Sequence, residues 1–345
     1  MVKIRPRGED IRKFILQHVE TRPHDIAKAI TEHFEITRQA ANKHLKKLTG
    51  EGCLTEQGNT RGRIYKIAPL SKWDKLYRIA DNLEEHVIWT NDIKPALGNL
   101  PQNAMNIWHY GFTEMFNNAI DHSEGSKIVV AISKTAAYIE MVIADDGVGI
   151  FKKIQNRMNL LDERHAIFEL SKGKLTTDPK HHSGEGIFFT SRAFDSFDIS
   201  SGGVHFRHEY EQAEDWVLEH QNPIQGTGVF LKLHNHGART LAKVFDDYTS
   251  EDAEYGFTKT VVPVKLATYG SDALISRSQA RRVLARVELF KTVIFDYQEI
   301  PEIGQAFADE IYRVFAHQHP EIEIVSINTS AKVDQMISRA KSVAQ

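Results

Sequence analysis

Two short stretches decide the fold of this chain: Glu-Met-Phe-Asn-Asn-Ala-Ile-Asp-His at residues 114–122 and Asp-Asp-Gly-Val-Gly at residues 145–149. The first stretch has helical periodicity, which places Glu114, Asn118 and Asp121/His122 on one face of a helix. Such a polar face packs poorly in a core, because buried polar groups must find partners, and a hydrated metal on a nucleotide would supply them. The second stretch follows an apolar strand, and its glycines allow the backbone to turn sharply and to approach a ligand closely.

Two later motifs extend this pattern. Ser-Gly-Glu-Gly at residues 183–186 leads into an apolar, helix-like run from Ile187 to Phe194, and backbone N–H groups at such a helix start suit a phosphate. Gly-Thr-Gly at residues 226–228 precedes a strand from Val229 to Leu233. A lone glycine motif of this kind is usually only a turn, whereas all four motifs in this order favour a nucleotide site.

The four motifs together resemble the nucleotide-binding motifs of the GHKL superfamily, which includes gyrase, heat-shock chaperone ATPases, histidine kinases, mismatch-repair ATPases and anti-sigma-factor kinases. The resemblance covers residues ~100 to ~236 and implies a GHKL α/β sandwich (the Bergerat fold) that binds ATP with Mg²⁺. It implies that Asn118 is the Mg²⁺ ligand, that Glu114 is the general base, and that Asp145 accepts a hydrogen bond from the adenine amino group. The other nucleotide contacts expected are Asp121, Gly147, Gly149, Lys174, Ser183, Gly184, Glu185, Gly186 and Thr227.

By the same resemblance, the interval between Gly149 and Gly184 corresponds to a mobile lid over the nucleotide. It contains Lys174, a lysine that could reach the β- and γ-phosphates. His181 and His182 could suggest a metal site, but adjacent histidines cannot readily share one ion. Magnesium that arrives with ATP is therefore the only metal that the sequence predicts.

Composition indicates an ordinary globular protein of two or three domains, with 345 residues, 41% hydrophobic and 26% charged. The single cysteine, Cys53, rules out an intramolecular disulfide within this sequence and suits a reducing cytoplasm. Residues 1–14 are charged and lack the apolar core of a signal peptide, and no run reaches the ~18 apolar residues of a membrane helix. The expected location is cytoplasmic.

The N-terminal segment is basic on an otherwise acidic chain. Residues 1–70 hold 14 Lys and Arg against 8 Asp and Glu, whereas the whole chain carries a net charge of −3. The segment has the pattern of three helices followed by two β-like runs around a glycine-rich tip, which resembles a winged helix-turn-helix domain. The expected contacts with double-stranded DNA are Arg38, Gln39, Asn42, Lys43, Lys46, Arg61 and Arg63. The alternatives are a solvated basic face and a winged helix that binds protein.

Apolar spacing over residues 71–100, including Trp73, Leu76 and Leu83, predicts a helical linker. A histidine kinase would carry its phosphoacceptor histidine here. The surroundings of His86 do not resemble that motif, and His109 lies too close to the 114–122 stretch to belong to a separate helix. Histidine-kinase activity is therefore not expected.

The C-terminal segment alternates strand-like and helix-like runs, which indicates a small α/β domain. Residues 275–282 and 304–310 resemble the STAS-like domains that are fused to ATPases of this kind. Phosphorylated antagonists with this fold carry a Ser or Thr in the loop after the central strand, and the loop at residues 299–306 has neither. Docking on an ATPase domain as a sensor of nucleotide state and a stabilising or dimerising role both remain open.

The sequence thus predicts a multidomain α/β protein with a winged helix at 1–70, a helical linker at 71–100, a GHKL domain at 101–240 and a STAS-like domain at 255–345. The expected function is that of an ATP-dependent DNA-binding transcription regulator whose GHKL domain binds Mg–ATP and hydrolyses it slowly as a conformational switch. The expected oligomer is a homodimer. The alternative is an anti-sigma-like serine/threonine kinase or partner-binding regulator, in which Glu114 deprotonates a hydroxyl of a protein partner. A nucleotide-gated scaffold without turnover is a third hypothesis.

Overall fold

The computed structural model describes residues 6–58, 62–81, 83–175, 184–210, 212, 215–250, 256–268 and 273–342. Arg61 and Ser183 lie outside these residues, as do His181 and His182. The described elements form three separate sheets, each associated with its own hydrophobic core.

The N-terminal domain consists of three helices and an antiparallel hairpin. The elements are α1 (Pro6–His18), α2 (Ile26–Phe34), α3 (Arg38–Gly50), β1 (Leu54–Gln57) and β2 (Ile64–Ile67). Thr37 caps α3, because its hydroxyl accepts a hydrogen bond from the Ala40 amide at 3.3 Å. Ala41, Leu45 and Leu48 form the buried side of α3, as the helical spacing predicts.

The helix predicted over residues 71–100 is wrong for its first part. Residues Pro69–Arg78 form strand β3, which pairs antiparallel with β4 (Lys127–Thr135). The spacing of Trp73, Leu76 and Tyr77 fits a helix equally well, but only Tyr77 is buried, and Leu76 is 51% exposed. β3 is thus an edge strand that β4 stabilises through backbone hydrogen bonds, and such pairing cannot be detected from side-chain spacing. Helical structure follows only at α4 (Glu85–Ile88), a π-helical turn (Trp89–Ile93) and α5 (Lys94–Leu97), after a 3₁₀ turn (Ile79–Asp81).

The central domain is a five-stranded antiparallel sheet in the order β3-β4-β5-β7-β6. Its remaining strands are β5 (Tyr138–Asp145), β6 (Ser196–Glu209) and β7 (Trp216–His234). Its main helices are α6 (Gln102–His122), α7 (Ile150–Met158), α8 (Glu163–Lys172) and α9 (Gly186–Ala193), and α10 (Leu241–Asp246) follows the sheet. On β5 the buried side chains alternate, with Ile139, Met141 and Ile143 in the core and Glu140 exposed, so the helices cover one face of the sheet.

The C-terminal domain alternates strands and helices, as the sequence predicts. Its parallel sheet has the order β10-β9-β8. The elements are β8 (Lys259–Pro263), a 3₁₀ turn (Val264–Ala267), α11 (Arg277–Leu284), a second 3₁₀ turn (Val287–Leu289), β9 (Thr292–Asp296), α12 (Gln305–Asp309), a π-helical segment (Glu310–Phe315), α13 (Ala316–Gln318), β10 (Glu323–Ile327) and α14 (Ala331–Ser342). Ser276 and Gln279 form a capping box at the start of α11.

Both outer domains pack on the central domain. The N-terminal domain encloses Tyr138 at the start of β5, and the Tyr138 hydroxyl donates a hydrogen bond to Glu20 at 2.7 Å. Phe168, Phe188 and Phe189, from α8 and α9, belong to the same core cluster as the C-terminal domain. No helix in the described part of the chain has the length and apolar character needed to cross a membrane.

Candidate functional site

The four sequence motifs surround one cavity of about 280 Å³ in the central domain. This volume is close to the lower end of the ~300–1,000 Å³ of small-molecule pockets. The motif residues that line it are Glu114 and Asn118 from α6, Asp145 from β5, Gly184 and Gly186 at the start of α9, and Thr227 from β7. The fold therefore joins segments that lie more than a hundred residues apart in the sequence.

Helix α6 presents Glu114 and Asn118 to the cavity from successive turns. Its opposite side, including Phe112 and Phe116, is fully buried in the central core. Asp121 was expected on the same polar face, but it is exposed and does not line the cavity. His122, which was also expected on this face, does line the cavity, because it lies four residues after Asn118 and projects from the same side of the helix.

Asp145 ends β5 and is held by the backbone of two motifs. Its Oδ1 accepts hydrogen bonds from the amides of Gly147, at 2.9 Å, and Thr227, at 3.2 Å. Burial raises the pKa of Asp145, although these two hydrogen bonds oppose the shift. A Cβ on Gly226, whose φ is +76°, would lie 2.0 Å from the Asp145 carbonyl oxygen, so the Gly-Thr-Gly turn requires glycine there.

Gly147 and Gly149 shape the site without lining it. A Cβ on Gly147 would lie 2.0 Å from the carbonyl oxygen of Ser123, at the end of α6. Gly149 has φ +88° and directly precedes Ile150, the first residue of α7, whose amide donates to the Thr227 hydroxyl at 3.0 Å. The two glycines thus let the loop after β5 pack closely on α6 and enter α7.

The start of α9 lies against Glu114. A Cβ on Gly186 would be 2.0 Å from Glu114 Oε2, so that carboxylate is in direct contact with the first turn of α9. Gly184 has φ +73° and lines the cavity, whereas Glu185, the N-cap residue, does not. Burial raises the pKa of Glu185, and the charge of Lys174 opposes that shift. The first backbone N–H groups of a helix have no partner within the helix, so they favour an anion at this end of the cavity.

Lys174, expected at the phosphates, does not line the cavity. Its ammonium donates to the carbonyl oxygen of Leu289 at 2.9 Å and lies 4.6 Å from the centre of the Phe290 ring. The C-terminal domain, which the sequence motif could not take into account, thus supplies the partners of this lysine. The geometry does not support its assignment as a phosphate ligand.

Lys153 is a cavity residue that the sequence reasoning missed. Its ammonium donates to the His122 carbonyl oxygen and to Glu124 Oε1, both at 2.8 Å, which joins α7 to the end of α6. Its place in the first turn of α7, just after Gly149, was the only available signal. An apolar wall completes the cavity, formed by Ile143, Ile150, Ile154, Ile187, Ile199 and Val229. These residues come from five different elements, so no local pattern marks them.

The proposed DNA-contacting residues of α3 share one outward side. Arg38, Gln39, Lys43 and Lys46 are exposed, and Asn42 is half-buried beside them. Arg63 lies at the hairpin, where it forms an ion pair with Glu56 at 3.3 Å. The described residues of this set therefore form a polar, basic surface opposite the buried side of α3.

Comparison with known families agrees with this geometry. Residues 82–234 match the model of the histidine kinase-like ATPase domain. The central domain is a GHKL-like ATPase domain. The match includes the short helices at 85–97, which the sequence had assigned to a linker. Residues 279–334 match the model of a STAS-like domain of unknown function. No curated protein matches the chain.

These matches describe a regulatory ATP-binding protein with a STAS-like domain. They confirm the GHKL-like and STAS-like parts of the sequence prediction. Neither match reaches the N-terminal helices and hairpin, so the winged-helix assignment stays a prediction.

Proposed function

We propose that this protein is a DNA-binding transcription regulator whose GHKL-like domain binds Mg–ATP, hydrolyses it slowly and uses it as a conformational switch. In this proposal the N-terminal domain is a winged helix-turn-helix that contacts double-stranded DNA, and the active form is a homodimer. The observation that carries the nucleotide part is the convergence of Glu114, Asn118 and Asp145 on one cavity beside the start of α9.

The residues of the cavity fit Mg–ATP chemically. The amide oxygen of Asn118 is a hard ligand of the kind that Mg²⁺ prefers, and the start of α9 offers backbone N–H groups to phosphate. Asp145 is oriented by two backbone amides, so its carboxylate can accept a hydrogen bond from an exocyclic amine. Bound Mg²⁺ would neutralise charge on the phosphate oxygens. In this proposal Glu114, which lies against the first turn of α9, accepts a proton from the attacking water.

The DNA part rests on charge and position. The exposed side of α3 carries Arg38, Lys43 and Lys46, and lysine and arginine on one helix face are the usual means of contacting a DNA backbone. The domain that carries this helix packs on β5, the strand that ends at Asp145. A nucleotide-dependent change at that strand therefore has a direct physical route to the N-terminal domain, provided that the nucleotide prefers one conformation.

Phosphate release from Mg–ATP tests the enzymatic part. We expect slow turnover by the full chain and its loss in Glu114→Gln, which keeps the shape of the side chain and removes the base. Glu140→Gln, on the exposed face of β5, is the matched control and should retain turnover. Equal turnover in Glu114→Gln would exclude Glu114 as the base, and phosphate recovered on a protein hydroxyl would favour the kinase alternative.

Binding to short mixed-sequence DNA duplexes at several salt concentrations tests the DNA part. Lys43→Ala should weaken binding and lower the salt slope by about one, because one phosphate contact is lost. Lys28→Ala is the control, since Lys28 lies on α2 and pairs with Glu32. Absence of salt-dependent binding by the wild-type chain, with and without ATP, would remove DNA from the proposal.

A further inference from the structure

A buried ion cluster joins the STAS-like domain to helix α8 of the ATPase domain. We call Glu169, Lys172 and Arg286 the interdomain ion cluster. The Lys172 side chain is 0% exposed, and its ammonium donates to Glu169 Oε1 at 2.8 Å. It also donates to the carbonyl oxygens of Arg282 and Ala285, each at 3.0 Å. A lysine of the ATPase domain thus donates hydrogen bonds to backbone carbonyl groups at the last turn of α11 in the STAS-like domain.

Arg286 completes the cluster from the STAS-like side. Its guanidinium donates to Glu169 Oε2 at 2.9 Å and also to the carbonyl oxygen of Gly173. Arg286 has φ +66°, a left-handed conformation that is unfavourable for arginine and that the surrounding contacts maintain. The Thr260 hydroxyl adds a hydrogen bond to the Lys172 carbonyl oxygen at 2.7 Å. The end of α8 is therefore fixed by the STAS-like domain on several sides.

The cluster determines geometry more than overall stability. Burying charges costs desolvation free energy, so an ion cluster of this kind stabilises a protein less than an apolar contact of similar size would. It does require one specific arrangement, because a shift of α8 against α11 would leave buried charges without partners. The cluster thus fixes the position of Gly173 relative to the STAS-like domain.

A short path leads from this cluster to the nucleotide cavity. Phe257 of the STAS-like domain packs on Gly173 so closely that a Cβ there would lie 2.4 Å from its ring. Two residues further on, the Leu175 amide donates to the Gly184 carbonyl oxygen at 3.1 Å. Leu175 and Gly184 both line the cavity, on the side where α9 begins. The contacts that hold Gly173 therefore lie two residues from the wall of the phosphate side.

We propose that the STAS-like domain acts as an intramolecular clamp that positions the phosphate side of the nucleotide site, with Arg286 as its main positioning residue. The inference rests on the proposed binding of ATP in the cavity and adds how that site is regulated. When the clamp is in place, Leu175 and Gly184 are held where they support the start of α9. When it is released, the adenine side keeps its geometry, because Asp145 is fixed by Gly147 and Thr227 within the ATPase domain.

Arg286→Asn in the full chain is the most informative variant. Asparagine tolerates the left-handed backbone conformation, so the change removes the guanidinium without adding backbone strain. Arg277→Ala is the matched control, because Arg277 is an exposed arginine of the same domain at the start of α11. Circular dichroism and gel filtration establish first that both variants are folded.

The measurement is the Kd of Mg–ATP and of adenosine, which lacks phosphates, by calorimetry. We expect Arg286→Asn to weaken ATP binding about tenfold, which is a typical size for coupling through packed side chains. Adenosine binding should stay within about twofold of wild type, because the adenine side does not depend on the clamp. Glu169→Gln, which keeps the shape of the side chain, should have the same effect as Arg286→Asn: weaker ATP binding and nearly unchanged adenosine binding. Arg277→Ala should leave both unchanged.

Two failures can be told apart. If the wild-type chain binds ATP and Arg286→Asn binds it equally well, or loses ATP and adenosine to the same extent, the clamp is wrong and the proposed function stands. If the wild-type chain binds neither ligand, the proposed nucleotide function is wrong, and the clamp proposal, which depends on that function, is wrong as well.

Discussion

Tyr138 and Asp145 occupy the two ends of β5 and connect two domains through one strand. Tyr138 is buried in the core of the N-terminal domain and donates to Glu20 at 2.7 Å. Asp145 lines the nucleotide cavity and accepts the Thr227 amide at 3.2 Å. The two residues are separated by about 23 Å along the strand, at roughly 3.3 Å per residue. The proposed nucleotide site and the N-terminal domain thus share one strand of the central sheet.

Tyr138→Phe should weaken the coupling between nucleotide and DNA without weakening nucleotide binding. The substitution removes the hydrogen bond to Glu20, which contributes about 1 kcal/mol, and keeps the ring over which the Lys232 ammonium lies at 3.7 Å. DNA affinity measured with and without ATP is the test. Tyr210→Phe, at an exposed position, is the control. An ATP effect equal to that of the wild type in Tyr138→Phe would exclude this contact as the route.

Asp145→Asn should strongly weaken nucleotide binding and abolish the ATP effect on DNA affinity at ATP concentrations that saturate the wild type. The oxygen of asparagine can still accept the Gly147 and Thr227 amides, but its amide group cannot accept a hydrogen bond from adenine. We expect a loss of about 2–4 kcal/mol in binding free energy, as for other buried charged hydrogen bonds that lose one partner. Calorimetric titration with ATP gives the value.

The neighbouring Asp146→Asn serves as the comparison. Asp146 accepts hydrogen bonds from Ser126 and Lys127, which lower its pKa to about 2, and it does not line the cavity. Asp146→Asn should therefore weaken these hydrogen bonds in the loop before β4 and leave the ATP affinity near that of the wild type. Equal losses in both variants would contradict a specific role for Asp145.

Gly186→Ala should reduce turnover more than binding. A Cβ at this position would lie 2.0 Å from Glu114 Oε2, so the carboxylate must move away from the start of α9. Displacement of a general base typically costs about 10²-fold or more in rate, whereas the helix itself accepts alanine well. Phosphate release and ATP affinity are measured in parallel.

Gly228→Ala is the matched glycine control, because its nearest contact would be an ordinary 3.4 Å from the Phe230 ring. It should retain near wild-type turnover. Unchanged turnover in Gly186→Ala would show that the position of Glu114 against α9 is not needed for hydrolysis.

Because Lys172 is buried at the domain junction, the stability of the protein against unfolding should change with pH in the alkaline range. Burial lowers the pKa of Lys172 from 10.5 to about 8, although Glu169 opposes the shift. Between these two values the unfolded chain binds more protons than the folded chain, so stability rises as the pH increases from about 8 towards 10.5. Thermal unfolding between these pH values should show this rise in the wild type and its absence in Lys172→Met. The same rise in both proteins would assign it to another group.

Part of the architecture followed from local patterns. The polar side of α6, the helix cap at Thr37 and the strand–helix alternation of the C-terminal domain depend on residues close together in the sequence, so their spacing alone predicted them. The four motifs also predicted the cavity, because each depends on residues close together in the sequence: residues 114–122 form one side of a helix, and the other three motifs are turns that contain glycine. Gly226 is the clearest case, since its left-handed φ is what allows the turn to pass the Asp145 carbonyl.

Tertiary contacts decided the rest. β3 became an edge strand because β4 supplies its hydrogen bonds, although its own apolar spacing fits a helix. The Lys174 ammonium does not line the cavity, because Leu289, more than a hundred residues later, accepts its hydrogen bond. The sequence by itself determined that Glu114, Asn118 and Asp145 belong to one site and which local turns accompany them. Only the tertiary structure decided that Lys153 enters the cavity and that Arg286 holds α8, because partners so distant in the chain leave no periodicity to detect.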